Sequence, residues 1–260
     1  MDLELTGRRA VVTGGSRGIG LAVARALAAE GADVALVARG AEALERAAAE
    51  VAAESGRRVV AVVTDTSDDA SVAAMVERVV AELGGVDILV NAAATPATGA
   101  PFTDDDLERE FNVKARGYLR CIRGVVPHMA QRGWGRIINI SGLAARQTGS
   151  IVGTVRNVAV AAMTKNLADE LGGQGINVTV VHPGMTRTER TPEAMAAMAQ
   201  ARGTSVEELE RRLESAVSIG RLVTAEEVAA VVAFLASPRS VALNGDAVVA
   251  GGGARGVIHY

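Results

Sequence analysis

The sequence predicts an α/β fold: a doubly wound parallel sheet of about seven strands flanked by helices on both faces. Three observations predict it. Short runs rich in valine and isoleucine alternate with longer alanine-rich stretches along most of the 260 residues. The runs are apolar enough to be covered on both sides, the usual state of parallel strands. The stretches between them are long enough for the helical crossovers that parallel strands need.

The elements follow in order. A first strand at 9–13 runs into a glycine turn and a helix at 18–30. Strands at 33–38 and 59–64 enclose a helix at 41–55, and a helix at 69–83 leads to a strand at 86–91. A long helical pattern covers 104–131, followed by a strand at 136–141, a helix at 151–173 and a strand at 176–182. Each helical stretch places apolar residues three and four apart, so one stripe faces the sheet. A helix at 224–236 and a strand at 246–250 close the pattern. No linker, repeat or low-complexity tract interrupts the chain, so 1–260 reads as a single domain. Residues 185–216 are the one long excursion, placed where a substrate cover would sit beyond the carboxyl ends of parallel strands.

The first strand ends in Thr13-Gly14-Gly15-Ser16-Arg17-Gly18-Ile19-Gly20. Glycines at 14, 18 and 20 allow a tight turn and a close backbone approach to a pyrophosphate, and the helix start adds free N–H groups and a positive dipole end. The second strand ends in Ala38-Arg39, where a carboxylate would bind the ribose 2′-hydroxyl of NAD. Arginine there, with Arg17 in the turn, suits a 2′-phosphate instead, so NADP(H) is expected in preference to NAD(H).

Composition excludes several other classes. A net charge of −3 with no compact basic run argues against nucleic-acid binding and favours a small-molecule substrate. The single Cys121 rules out an internal disulfide, suits a reducing cytoplasm, and reads as a packing residue. No Cys/His spacing suggests a metal site. The N-terminus lacks a signal-peptide pattern, and the longest uncharged apolar run is 228–236, too short for a membrane span. Among 27 basic residues only Lys114 and Lys165 are lysines.

On these motifs the chain resembles the short-chain dehydrogenase/reductase family almost end to end, which implies a Rossmann-like fold. Residues 13–20 are similar to its TGxxxGxG turn, which makes Ser16 and Ile19 cofactor contacts along with the glycines and Arg17. Asp65, with Thr66 beside it, stands at the adenine-contacting aspartate, and Asn91-Ala92-Ala93 looks like the NAG motif. Asn112 lies in a segment similar to the one carrying the family's proton-relay asparagine. Pro183-Gly184-Met185-Thr186-Arg187-Thr188 resembles the PGxxxT segment that holds the nicotinamide amide, implying contacts from Pro183, Gly184, Thr186 and Thr188. The resemblance also implies a homotetramer or homodimer.

The family's catalytic set is where this sequence departs. It usually carries a YxxxK pair, tyrosine and lysine on one helical face, and no such pair occurs in this chain. Alignment on the segment around Lys165 puts Gly153 at the tyrosine position and Asn157 at the lysine position, where it remains a cofactor contact. Gly142 stands at the catalytic serine, with Ser141 next to it as a substitute. Tyr118, six residues after Asn112, should face elsewhere; His182 reads as a buried strand-end residue; His259 and Tyr260 are candidates for donation from a neighbouring subunit. Methionines 185, 195 and 198 suggest an adaptable apolar pocket, although methionines on an amphipathic helix more often simply pack.

The leading expectation is an atypical NADP(H)-dependent oxidoreductase acting on a carbonyl or alcohol, or on a C=C or C=N bond, with a non-standard proton donor. The alternatives are a non-redox isomerase, lyase or cyclase on the same scaffold, and a catalytically inactive NADP(H)-binding protein. Position-specific general acid catalysis contributes about 10²–10⁴-fold, so its loss does not by itself abolish hydride transfer.

Overall fold

The computed structural model describes residues 1–95 and 101–256. Seven parallel strands form one sheet. In chain order they are β1 (Arg9–Thr13), β2 (Asp33–Ala38), β3 (Val59–Val63), β4 (Ile88–Asn91), β5 (Gly135–Ile140) and β6 (Ile176–Pro183), with β9 (Ala247–Ala250) last. Between β6 and β9 a second, two-stranded sheet pairs β7 (Thr186–Arg187) with β8 (Val223–Thr224). The main sheet runs β3-β2-β1-β4-β5-β6-β9, so the strand order reverses at β1 and β4. A crevice opens there beyond the strand ends, the place where open α/β sheets bind ligands.

The helices are α1 (Gly18–Ala29), α2 (Ala41–Ser55), α3 (Asp69–Leu83), α4 (Asp104–Phe111), α5 (Gly117–Arg132), α6 (Ile151–Leu171), α7 (Thr191–Arg202), α8 (Val206–Ser215) and α9 (Ala225–Ala236). Strand side chains alternate between the two faces. Val12 and Leu36 pack with Val23 and Leu27 of α1, Leu44 of α2 and Val228 and Val232 of α9. Val11, Val37, Leu89 and Ile137 pack on the other face with Met75 of α3, Cys121 and Ile122 of α5 and Ala168 of α6. The expected doubly wound sheet is therefore present, with a buried layer on each side.

One expectation is corrected. The pattern at 104–131 does not form a single helix: α4 and α5 are joined by a π-helical turn, Asn112–Arg116. Gly117, at its exit, abuts the Thr66 carbonyl so closely that an added Cβ would lie 2.9 Å from that oxygen. Such a turn opens the regular hydrogen-bond ladder and is common at functional sites.

Residues 185–216 hold β7, α7 and α8. Met195, Ala199 and Leu209 of this segment are buried together with Leu222, with Met198 and Leu213 against them, in a small core of their own. Met195 and Met198 are thus packing residues, while Met185 is exposed. Among the described residues, no helix is long and apolar enough to cross a membrane, and no cluster of His, Cys, Asp or Glu is placed to hold a metal.

Candidate active site

The glycine turn is built by contacts that exclude side chains. Gly14 has φ +70° and approaches the backbone after β4, where an added Cβ would lie 2.9 Å from the Ala92 carbonyl oxygen. A Cβ on Gly20 would lie 2.3 Å from the Gly14 carbonyl oxygen, closer than atoms can approach. Thr13 secures the same junction, its Oγ1 accepting from the Ala92 and Ala93 amides at 3.0 and 3.2 Å. β1 and β4 therefore end side by side at the strand-order reversal. Ser16 and Ile19 are half-buried in this turn, and Arg17 is exposed.

Five other helix starts are closed by side chains, while α2, α5 and α7, like α1, are not. Asp68, Thr103, Ser150, Ser205 and Thr224 accept from first-turn amides of α3, α4, α6, α8 and α9. α1 begins on Arg17 with no such bond from the residue before it. Its Gly18 amide donates instead to Glu189, 171 positions away, at 3.0 and 3.3 Å from the two carboxylate oxygens. An anion already sits where the dipole and free amides favour one.

Beyond β2 and β3 lie Arg39, Asp65 and Thr66. Arg39 is exposed, and Thr66 is buried. Asp65 accepts from the Ser67 hydroxyl at 2.7 Å and the Ser67 amide at 2.9 Å. Those bonds, aided by the charges of Arg39 and Arg120, lower its pKa and outweigh the opposing effect of burial.

At the ends of β4 and β5 the polar groups are deeply buried. Asn91 Nδ2 donates to Asn139, whose own amide donates to Thr164, each at 3.0 Å. The Asn91 and Asn157 Oδ1 atoms are buried without a hydrogen-bond partner among the described residues. Leaving such acceptors unmatched costs about 1–3 kcal/mol each, so a donor from a ligand fits both. Gly142 donates its amide to His182 Nδ1 at 3.4 Å, and the Asn157 amide nitrogen would lie 3.2 Å from a Cβ on Gly142. His182 is buried at the strand end as expected. Gly153 is buried in the first turn of α6, where its amide is capped by Ser150 at 3.0 Å.

Two hydroxyls considered from the sequence donate to backbone carbonyls. Ser141 Oγ donates to the Asn157 backbone carbonyl at 3.0 Å, and Tyr118 Oη donates to the Ile140 carbonyl at the same distance. Complete burial raises the Tyr118 phenol pKa above its ordinary 10.0. Cys121 is pushed up to about 12 by burial, as befits a packing residue. His259 and Tyr260 lie outside the described residues.

Asn112 opens the π turn and contacts the α3 side. Its Oδ1 accepts from Arg120 at 2.9 Å, its backbone carbonyl accepts from Arg120 at 3.3 Å, and its Nδ2 donates to the Ser67 carbonyl at 3.4 Å. The structure brings Ser141, Gly142 and Asn157 together at the end of β5. Asn112 bonds to a different set of neighbours.

Lys114, one of the two lysines, is buried at the same strand end and donates Nζ to the Ser141 carbonyl at 2.8 Å. Burial lowers its pKa from 10.5 to about 7; nearby Arg156 adds to this, and Glu110 opposes it. Glu110 and Arg156 are themselves a buried ion pair at 2.9 Å, and Arg156 also donates to the Thr95 carbonyl at 3.0 Å. The available signal was the rarity of lysine together with the four-residue spacing of Glu110 and Lys114.

Pro183 ends β6. Gly184 packs against Gly251, where an added Cβ would lie 3.1 Å from the Gly251 Cα. Thr186 Oγ1 donates to the Gly184 carbonyl at 3.0 Å. The Thr188 amide donates to Thr191 Oγ1 at 2.7 Å, and Thr188 Oγ1 accepts from the Arg190 amide at 3.3 Å. The segment thus leaves β6 through a close backbone contact and passes the start of α1.

A family model described as enoyl-(acyl carrier protein) reductase matches residues 14–255, from the glycine turn to beyond β9. The chain belongs to the short-chain dehydrogenase/reductase family. It is 36% identical over 247 residues to the short-chain reductase protein NovJ of Streptomyces niveus, covering 94% of this chain and 92% of that one. L-sorbose reductase of Gluconobacter frateurii, solved with NADPH and L-sorbose, matches with a TM-score of 0.92 and 31% identity over 99% of this chain and 100% of its own. An NAD⁺-bound xylitol dehydrogenase matches with a TM-score of 0.90 and 26% identity over 96% of this chain and 100% of its own. The two solved structures share this fold and hold different nicotinamide cofactors.

Proposed function

We propose that this family member is an NADP(H)-dependent oxidoreductase of a small-molecule carbonyl or alcohol, or of a C=C or C=N bond, whose proton transfer does not use a tyrosine. The observation that carries the cofactor reading is the glycine turn, where Gly14 and Gly20 exclude any side chain beneath an α1 start lacking its own cap. The buried, unpartnered oxygens of Asn91 and Asn157 also fit a ligand that brings hydroxyl or amide donors. Bound NADP(H) supplies the hydride.

The chain's own residues hold and orient. The amides of Gly18 and Ile19 bind phosphate, with Ser16 and Arg17 at the rim. Arg39 takes the 2′-phosphate, Asp65 and Thr66 border the adenine, and Asn157 accepts from ribose. Pro183, Gly184, Thr186 and Thr188 line the nicotinamide end, and Asn91 and Ala92 close the opposite wall. Residues 185–216 exclude water as a substrate cover. At the tyrosine, lysine and serine positions, Gly153, Asn157 and Gly142 offer no acid of the usual kind. Ser141 and Asn112 are the remaining members of the set.

Calorimetric titration with NADPH and NADH, followed by stopped-flow oxidation of NADPH against a carbonyl panel, tests the reading. NADPH is expected to bind at micromolar concentration or tighter and ahead of NADH, with slow turnover on generic carbonyls. Absence of NADPH binding overturns the cofactor assignment. Fast turnover of ordinary aldehydes overturns the assignment of Gly153, and tight binding without turnover on any substrate favours a binding protein instead.

A further inference from the structure

The Gly18 amide is a first-turn donor, which no carbonyl inside α1 can satisfy. Both oxygens of the Glu189 carboxylate lie within hydrogen-bond distance of it. Glu189 is exposed, and no basic side chain among the described residues forms an ion pair with it. Turn bonds on each side hold it there: the Thr188 amide to Thr191, and the Arg190 amide to Thr188. Next to this turn, Arg187 is tied to Glu210 and Glu214 of α8 at 2.6 and 3.2 Å. The backbone that carries Glu189 is therefore braced.

A carboxylate and a phosphate oxygen are ligands of the same chemical class for a helix start. One amide proton does not serve both, and two anions at that spot repel. We propose that Glu189 is an internal competitor for the cofactor pyrophosphate: its carboxylate must leave Gly18 before the diphosphate seats there, so this residue lowers cofactor affinity. The inference rests on the NADP(H) reading above.

Competition lowers apparent affinity by the fraction of molecules whose site is open. The usual strength of an exposed charge at a helix start corresponds to about 2- to 5-fold. Calorimetry with NADPH, and separately with inorganic pyrophosphate, is run on the wild type, Glu189→Ala, Glu189→Gln and the control Glu193→Ala, an exposed position on α7. Glu189→Ala is expected to bind both probes more tightly by that factor, Glu189→Gln to fall between, and Glu193→Ala to match the wild type. In ¹⁵N spectra of the ligand-free protein, the Gly18 amide resonance is expected to move in Glu189→Ala.

Equal or weaker binding by Glu189→Ala, with the wild type still binding NADPH, overturns the competition and leaves the cofactor reading intact. An unmoved Gly18 resonance overturns the contact itself. NADPH binding to none of the four proteins overturns the cofactor reading, and this inference with it.

Discussion

Arg156 of α6 and Glu110 of α4 form an ion pair 2.9 Å apart, with side-chain exposures of 7% and 1%, beside the start of the π turn. Removing one partner leaves the other charge buried without compensation, which typically costs about 3–5 kcal/mol. Glu110→Gln and Arg156→Met should each lose stability on that scale in urea denaturation. The double variant Glu110→Leu/Arg156→Leu should lose less than the sum of the two. Single-variant losses below about 1 kcal/mol would show that the pair is not buried in solution.

Lys114 gives a pH signature with a definite sign. Its folded pKa, about 7, lies below its ordinary 10.5, so the unfolded chain binds more protons between those values and stability rises with pH there. Below pH 7 the lysine is protonated in both states and the full penalty remains. The wild type should therefore gain about 2 kcal/mol relative to Lys114→Met between pH 7 and 9. Above pH 9, Cys121 opposes this trend in both proteins, because its raised pKa makes the folded state hold its proton longer. Urea titrations at several pH values check the difference, and a flat difference from pH 7 to 9 counts against a buried ammonium.

Gly20→Ala forces a methyl carbon to 2.3 Å from the Gly14 carbonyl oxygen. The turn must then open, at about the 1–3 kcal/mol of an overpacked site. A lower melting temperature together with weakened NADPH binding is expected. Unchanged binding would mean that the turn does not carry the cofactor.

Cofactor choice should reside largely in Arg39, which lies near enough to Asp65 to help lower its pKa. Arg39→Asp should weaken NADPH binding by about tenfold or more and favour NADH, as a charge-assisted contact of about 1.5–3 kcal/mol is exchanged for repulsion. Parallel titrations with both cofactors measure the switch. An unaltered preference would move the 2′-phosphate contact to Arg17.

The exposed face of α6 carries Ile151, Val155 and Val158, at 63%, 44% and 45% exposure and helical spacing. An apolar face of that kind suits a second copy, as the homo-oligomer implied by the family resemblance would require. Light scattering should show a dimer or tetramer, and Val155→Asp/Val158→Asp should reduce it to a smaller species.

The sequence by itself determined the sheet, its strands and the glycine turn, because these depend on local features: valine and isoleucine runs, three-and-four spacing, and glycines at fixed offsets. It contains no YxxxK spacing, a matter of residue type alone. Tertiary structure decided what depends on distance through space. The π turn that splits 104–131 arises at the close packing of Gly117 on Thr66, which no periodicity announces. Lys114 is buried because the π turn between α4 and α5 lays it on the end of β5, and its shifted pKa follows from lost solvation rather than from neighbours in sequence. Glu189 meets Gly18 across 171 residues only once β6 and β1 stand in the same sheet. Helix and strand signals are short-ranged; burial and charge pairing require the assembled fold.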